Sequence, residues 1–247
     1  MRSSFERRFL IIFIIGFLGV AAGCARAPVL TEKEGADPRG LLTQVCGASA
    51  PGSQINKVKG SAWLKASSKE ASGRFPAQVL AEMPDKLVLE VMNLIGGTEA
   101  LIKVEGRRYK IEIPAQKNRK QQKQEGYHSW GGIPLQFATE LFLGRIPCPP
   151  VAAFADAQVS TSQADELLVE TKPSLEREAE IFRYSFRAWE GRPWVKALHW
   201  EKKGTAPSVI DFQFDSPEEG TASPQRWEAK SAVGEVSVRW RERKVTR

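Results

Sequence analysis

Side-chain catalysis needs a nucleophile, a base or a metal ion held within reach of its partners, and this chain offers few groups for it. Its two histidines, His128 and His199, stand among aromatic and glycine neighbours. Neither has a second histidine or a carboxylate at metal-ligand spacing, and no H-E-x-x-H occurs. A G-x-S-x-G elbow, a P-loop and a G-x-G-x-x-G turn are also missing from the sequence. Glu218 and Glu219 are adjacent, but they sit in turn-like sequence where a solvated loop is the simpler role for them. The residue types therefore predict a protein that is not an enzyme and that has neither a metal nor an organic cofactor.

The three cysteines point to a different chemistry. Arg2, Arg7 and Arg8 precede an uncharged run from Phe9 to Ala22. That run is shorter than the roughly 20 residues of a membrane-spanning helix. It ends in Val20-Ala21-Ala22-Gly23-Cys24, and small residues directly before a cysteine resemble a bacterial lipobox. The resemblance implies cleavage before Cys24 and diacylation of its thiol, with Ala21 standing where leucine is usual. The alternative is an uncleaved anchor in which Cys24 is incidental. Residues 1–23 are thus expected to be a lipoprotein signal peptide and residues 24–40, polar and interrupted by prolines and glycines, a lipidated tether. Residues 41–247 then form a single domain, long enough for a sizeable core. Ala25 follows the modified cysteine where an aspartate would hold enteric lipoproteins in the inner membrane, so the outer membrane is expected, at its periplasmic face.

Export fixes the context of the other two cysteines. An oxidising periplasm permits a Cys46–Cys148 disulfide, and two buried thiols are the alternative, because a sequence carries no distance. The formal charge of the whole chain is +7. The signal segment carries three arginines and Glu6, a net +2, so the mature chain keeps +5. Mild basicity suits anionic lipid headgroups or an acidic protein partner, and export argues against nucleic acid.

The elements that would position any site are mostly strands. After a short helical spacing over Leu41–Ala48, apolar residues recur with period two. Phe75, Ala77, Val79, Ala81 and Met83 share one face, as do Leu87, Leu89 and Val91, then Ile102 and Val104, then Tyr109, Ile111 and Ile113. Residues 115–126 are polar and basic and read as a loop. Ile133, Phe137, Leu141 and Phe142 recur at helical spacing, with Pro134 fitting a first turn and Gly144 a stop. Strands resume to the C-terminus, including one with Phe182, Tyr184 and Phe186 on a single face. About eleven strands and two helices define an α+β domain: an unclosed antiparallel β-barrel covering short helices, with a concave apolar cavity. The seven tryptophans fit either packing at sheet edges or a lining for acyl chains.

Two stretches carry a family resemblance. Asn93-Leu94-Ile95-Gly96-Gly97-Thr98-Glu99-Ala100-Leu101 lies between two strands, and Gly132-Ile133-Pro134-Leu135 opens a segment closing with Phe142-Leu143-Gly144-Arg145-Ile146-Pro147. This order resembles the LolB family, outer-membrane lipoproteins that receive other lipoproteins from the periplasmic carrier LolA. The resemblance covers about residues 57–147; beyond 150 only the strand rhythm agrees. The basic 115–126 segment, Cys46 and Cys148, and the long tryptophan-rich C-terminal part depart from the family pattern. The resemblance implies a half-barrel with helices as a lid over an acyl cavity, for which Val79, Leu87, Leu89, Val91, Ile102, Val104 and Phe137 are the candidates. It implies that Leu94 or Ile95 protrudes from the hairpin and helps place cargo in the membrane. The expected partners are a LolA-type carrier, acylated lipoprotein cargo and outer-membrane lipid, and a monomer is expected. Binding of a free envelope lipid, or a structural envelope role without ligand, are the rival readings.

Overall fold

Strands that alternate an apolar and a polar side bury one face only, and this chain solves that requirement with a single curved sheet around a helix. In the computed structural model the described residues are 37–50, 52–68, 72–114, 123–130, 132–163, 165–175, 177–218 and 223–247. The leader, the Cys24 lipidation site and most of the tether lie outside them, as do residues 115–122 of the basic segment.

The strands are β1 (Lys57–Ser68), β2 (Ser72–Glu82), β3 (Lys86–Met92), β4 (Thr98–Glu105), β5 (Arg108–Glu112) and β6 (Lys123–Tyr127), followed by a short pair, β7 (Ser129–Trp130) and β8 (Ile133–Pro134). After helices α2 (Leu135–Leu143) and α3 (Val151–Phe154) come β9 (Gln158–Gln163), β10 (Glu166–Glu170), β11 (Glu180–Trp189), β12 (Arg192–Lys202), β13 (Ser208–Phe214), β14 (Arg226–Ser231) and β15 (Gly234–Thr246). Helix α1 (Pro38–Cys46) precedes them all. Thirteen strands form one antiparallel sheet in the order β6-β5-β4-β3-β2-β1-β15-β14-β13-β12-β11-β10-β9. The first and last strands pair with each other at its centre, from Lys57 opposite Thr246 to Ser68 opposite Gly234. The terminal strands β6 and β9 do not meet, so the barrel is not closed.

The strand count exceeds the expected eleven for a physical reason. The end of the 115–126 stretch read as loop belongs to the edge strand β6, Lys123–Tyr127. An edge strand needs no apolar face and is often charged, so it leaves no period-two signal. It is tied to β5 by Glu125, which pairs with Arg108 and, at 3.6 Å, with Lys110.

Helix α2 fills the concave side. Seven of its nine residues are buried: Leu135, Phe137, Ala138, Thr139, Leu141, Phe142 and Leu143. Pro134 stands at its N-cap, where the missing N–H costs nothing. Gly144 ends it in the left-handed region at φ +78°, and its N–H bonds to Leu141 O at 3.0 Å. The helix lies over β1, β2 and β3. Aromatic rings from the far half of the sheet reach it edge-on: Phe137 meets Phe182, Trp200 and Phe212 with ring centroids 6.2, 5.3 and 6.3 Å away. Phe142 does the same with Trp227 at 5.4 Å and Trp240 at 6.4 Å. These tryptophans therefore belong to the core and not to the sheet edges.

A second cover lies beside α2. Asp37 caps α1 by accepting from Arg39 N, and the Arg39 guanidinium donates to Phe154 O and Ala157 O. Cys46 at the end of α1 and Cys148 after α2 form a disulfide, with Cα atoms 5.8 Å apart. The Tyr184 hydroxyl beneath it donates to Pro147 O at 3.1 Å. Arg145 clamps the preceding loop by donating to Ser53 O and Ile55 O.

Candidate functional site

The β3–β4 connection is a braced turn. Asn93 N donates to Gly97 O at 2.8 Å, and Gly96 N donates to Asn93 O at 3.1 Å. The Asn93 side chain fills the loop from inside: its Oδ1 accepts from Ile95 N and Gly97 N, and its Nδ2 donates to Glu99 Oε1. Below it, Thr98 Oγ1 donates to Glu90 Oε1 at 2.7 Å. Gly96 turns the chain at φ +89°. With the interior occupied by Asn93, the two remaining side chains point outward. Leu94 is 82 % exposed and Ile95 94 %. Exposed apolar neighbours on a soluble surface are unfavourable unless something covers them.

The topology places further apolar residues at the same end of the sheet. Strands β3, β10 and β14 run in the same direction, because an even number of antiparallel steps separates them. The connections that follow them therefore emerge together. Beside Leu94 and Ile95, that end carries Leu175, fully exposed in the β10–β11 connection, and Val233, exposed in the β14–β15 turn. Sequence reasoning missed these two. Their only signal is a single apolar residue in an otherwise polar turn, which becomes informative once the strand directions are known.

The concave candidates sit where α2 covers the sheet. Val79, Leu87, Leu89, Ile102, Val104 and Phe137 are buried, and Val91, nearest the hairpin, is partly buried against them. The register sets Val79 opposite Leu89, Leu89 opposite Ile102 and Leu87 opposite Val104, so five of them form one continuous apolar ladder. Among the described residues α2 covers this ladder, and its five members are at most 5 % exposed.

The cover is polar at two points. Glu140, on α2, has its Oε2 shut away from solvent, and burial pushes its carboxyl up to about 7, with Arg145 pulling the other way. The indole N–H groups of Trp227 and Trp240, against Phe142, are buried without a hydrogen-bond acceptor. An unmet buried donor costs on the order of 1–3 kcal/mol, which the packing of these rings on Phe142 has to offset.

Neither histidine builds a reactive centre. His199 Nδ1 lies 2.7 Å from Asp211 Oδ1, a cross-strand pair on the outer face that spacing in the sequence does not reveal. His128 sits at φ +66° before the β7–β8 pair. Among the described residues no group of three or more His, Cys, Asp and Glu side chains is placed to hold a metal ion, and no helix is long and apolar enough to cross a membrane.

An unclosed antiparallel half-barrel wrapped on a central helix, with an apolar turn at its rim, is the class of protein that fold and site define. Three solved structures are distantly similar to the chain. A LolA superfamily protein from Nitrosomonas europaea is 11 % identical, with 78 % of this chain and 88 % of that one covered and a TM-score of 0.46. A DUF1329 family protein from Desulfovibrio piger is 6 % identical over 85 % and 90 % of the two chains, with a TM-score of 0.49. The Mycobacterium tuberculosis lipoprotein LppX is 9 % identical over 83 % and 95 %, with a TM-score of 0.31. No family model and no curated protein matches the sequence.

Proposed function

We propose that this protein is a lipid-anchored acceptor at the periplasmic face of the outer membrane. It takes the acyl chains of lipoproteins from a LolA-type carrier onto its concave face and passes them to the bilayer at the hairpin end. The observation that carries this reading is the Asn93-braced turn, which holds Leu94 and Ile95 out in water on a backbone that offers them no place to fold back. Entry of both side chains into a membrane would contribute roughly 3–5 kcal/mol. That is small beside an acyl anchor on Cys24, but it sets which end of the barrel faces the lipid.

The concave face supplies the other half. An acyl chain can replace α2 on the Val79–Leu89–Ile102 ladder only if the helix gives way. Exposing a side chain such as Phe137 or Leu141 costs about 1.5–3 kcal/mol each, and each buried acyl methylene returns about 0.8 kcal/mol. A chain of roughly a dozen methylenes thus offsets three or four such side chains. The exchange is close to balanced, so transfer runs on relative burial in carrier, acceptor and bilayer, and nucleotide hydrolysis has no part in it.

The test is transfer of a labelled diacylated lipoprotein from a loaded LolA-type carrier to this protein in its soluble Cys24→Ala form. Stable movement of the label supports the reading. A folded protein that takes no label contradicts it, and extraction of the native protein would then show whether it carries a free lipid.

A further inference from the structure

A second surface, on the convex face, has its own chemistry. Trp63, Arg74, Gln225, Arg239, Trp240 and Arg241 line a cleft of about 290 Å³. This is the lower end of the roughly 300–1,000 Å³ of small-molecule sites, a size for a headgroup and not for an acyl chain. The cleft is built by a fault in the central strand pair. Ser61 faces Glu242, but Ala62 faces Trp240, so Arg241 is the extra residue of a β-bulge. The bulge turns Arg241 outward beside Arg239, onto the surface that already holds Trp63. The guanidinium carbon of Arg241 lies 5.8 Å from the Trp63 ring centroid, and that of Arg74 lies 4.5 Å from it.

Among the described residues the positive charge in this cleft has no carboxylate paired to it. Glu242, beside the bulge, accepts from Ser61 Oγ. Glu228 is taken by Arg226. Among the described residues no carboxylate pairs with Arg74, Arg239 or Arg241. The register adds to the cost: Arg226 stands opposite Arg239, and Lys65 stands opposite Arg74. Like charges directly opposite across a strand pair destabilise a sheet. Trp240 lines the base of the cleft, with its ring turned inward against Phe142. Three guanidiniums around an aromatic plate match an anion with several acceptor oxygens on an organic stem.

We propose that this cleft binds a phosphate group, carried in the native setting by the headgroup of an anionic phospholipid. The site is independent of the concave face and of the transfer reading above. Bound there, the headgroup would hold the barrel wall against the lipid surface through charge, while the hairpin end contacts it through apolar burial.

The test uses the full chain in neutral dodecyl maltoside micelles, followed by tryptophan emission. It is titrated in separate arms with inorganic phosphate, dihexanoyl-phosphatidylglycerol and dihexanoyl-phosphatidylcholine. A saturable change with phosphatidylglycerol that is absent in Trp63→Phe, and weakened at least about tenfold in Arg239→Gln/Arg241→Gln, is expected. Phosphatidylcholine should bind more weakly. An equal response to inorganic phosphate supports the phosphate site and assigns its ligand to solution instead of the membrane. A phosphatidylglycerol response unchanged in the double variant overturns the proposal and places the lipid elsewhere, on the concave face. No saturable response to either anion also overturns it. The single Arg239→Gln variant, at an exposed position, guards against loss of folding in the double.

Discussion

Leu94 and Ile95 on the β3–β4 turn expose 82 % and 94 % of their surface, while Leu141 and Phe142, an adjacent apolar pair on α2, expose 1 % and 2 %. Each pair is followed within two residues by a glycine at positive φ that reverses the chain, Gly96 in one case and Gly144 in the other. The surroundings of those glycines differ. A Cβ at Gly96 would meet nothing within 4 Å, whereas one at Gly144 would lie 2.3 Å from the Ser223 side chain. The turn stands free, braced only by its own asparagine. The helix end is wedged under the 223–224 segment, which Arg243 holds through Ser223 O and Pro224 O. Two similar sequence pairs are thus assigned opposite solvents by what the fold places around them.

The comparison can be broken first at its buried side. Phe137→Ala removes the ring that Phe182, Trp200 and Phe212 converge on, and it should cost about 3–5 kcal/mol in urea unfolding while leaving the hairpin's exposure unchanged. If the cost is below about 1 kcal/mol, α2 is not seated as described. Next comes the disulfide. Cys46 and Cys148 are 102 residues apart, and a closed loop of that size stabilises by about 4–5 kcal/mol in the chain-entropy view. Measured differences are often smaller, so a loss of about 2–4 kcal/mol is expected for Cys148→Ser, read as a shifted unfolding midpoint that reductant no longer changes.

A smaller effect depends on pH. Glu140 carries a native-state carboxyl near 7 against an ordinary 4.5, because burial disfavours its charge. Between those values the folded state holds a proton that the unfolded chain has released, so stability falls as pH rises through that window. A rise of this size corresponds to about 3 kcal/mol. Glu140→Gln should match the wild type near pH 5, exceed its stability near pH 8 and flatten the profile between them. A wild-type profile that is already flat from pH 5 to 8 would contradict the buried, unpaired carboxyl. Smallest in stability is Asn93→Ala. It removes the acceptor for Ile95 N and Gly97 N, both open to water, and should cost about 1 kcal/mol. Its larger signature should be faster amide exchange confined to residues 94–97.

Much of the architecture was legible from residue periodicity. Leu87, Leu89, Ile102 and Val104 recur with period two among neighbours that include Lys86, Glu90, Lys103 and Glu105, and the structure buries that set against α2. The helix itself was legible from Phe137, Leu141 and the Gly144 stop. Beyond these, the limits have physical causes. β6 was hidden because a charged edge strand has no buried face to betray it. The convex cleft was hidden because Trp63 and Arg241 meet only through the pairing of the first strand with the last. His199 and Asp211 come together in the same way. The state of the concave face was also beyond reach: period-two alternation says that Val79 and Leu89 face inward, but not whether a helix or a ligand lies against them.

The most direct measurement is a two-step transfer on one sample: capture of labelled lipoprotein from a LolA-type carrier, then release to phospholipid vesicles, comparing the wild type with Leu94→Glu/Ile95→Glu. Both positions are solvent-exposed, so folding should be unaffected. The account predicts that the variant captures cargo as the wild type does and delivers it at least about tenfold more slowly, the effect of losing a few kcal/mol of membrane contact. Delivery at the wild-type rate with normal capture would contradict the division of labour between the exposed turn and the covered face.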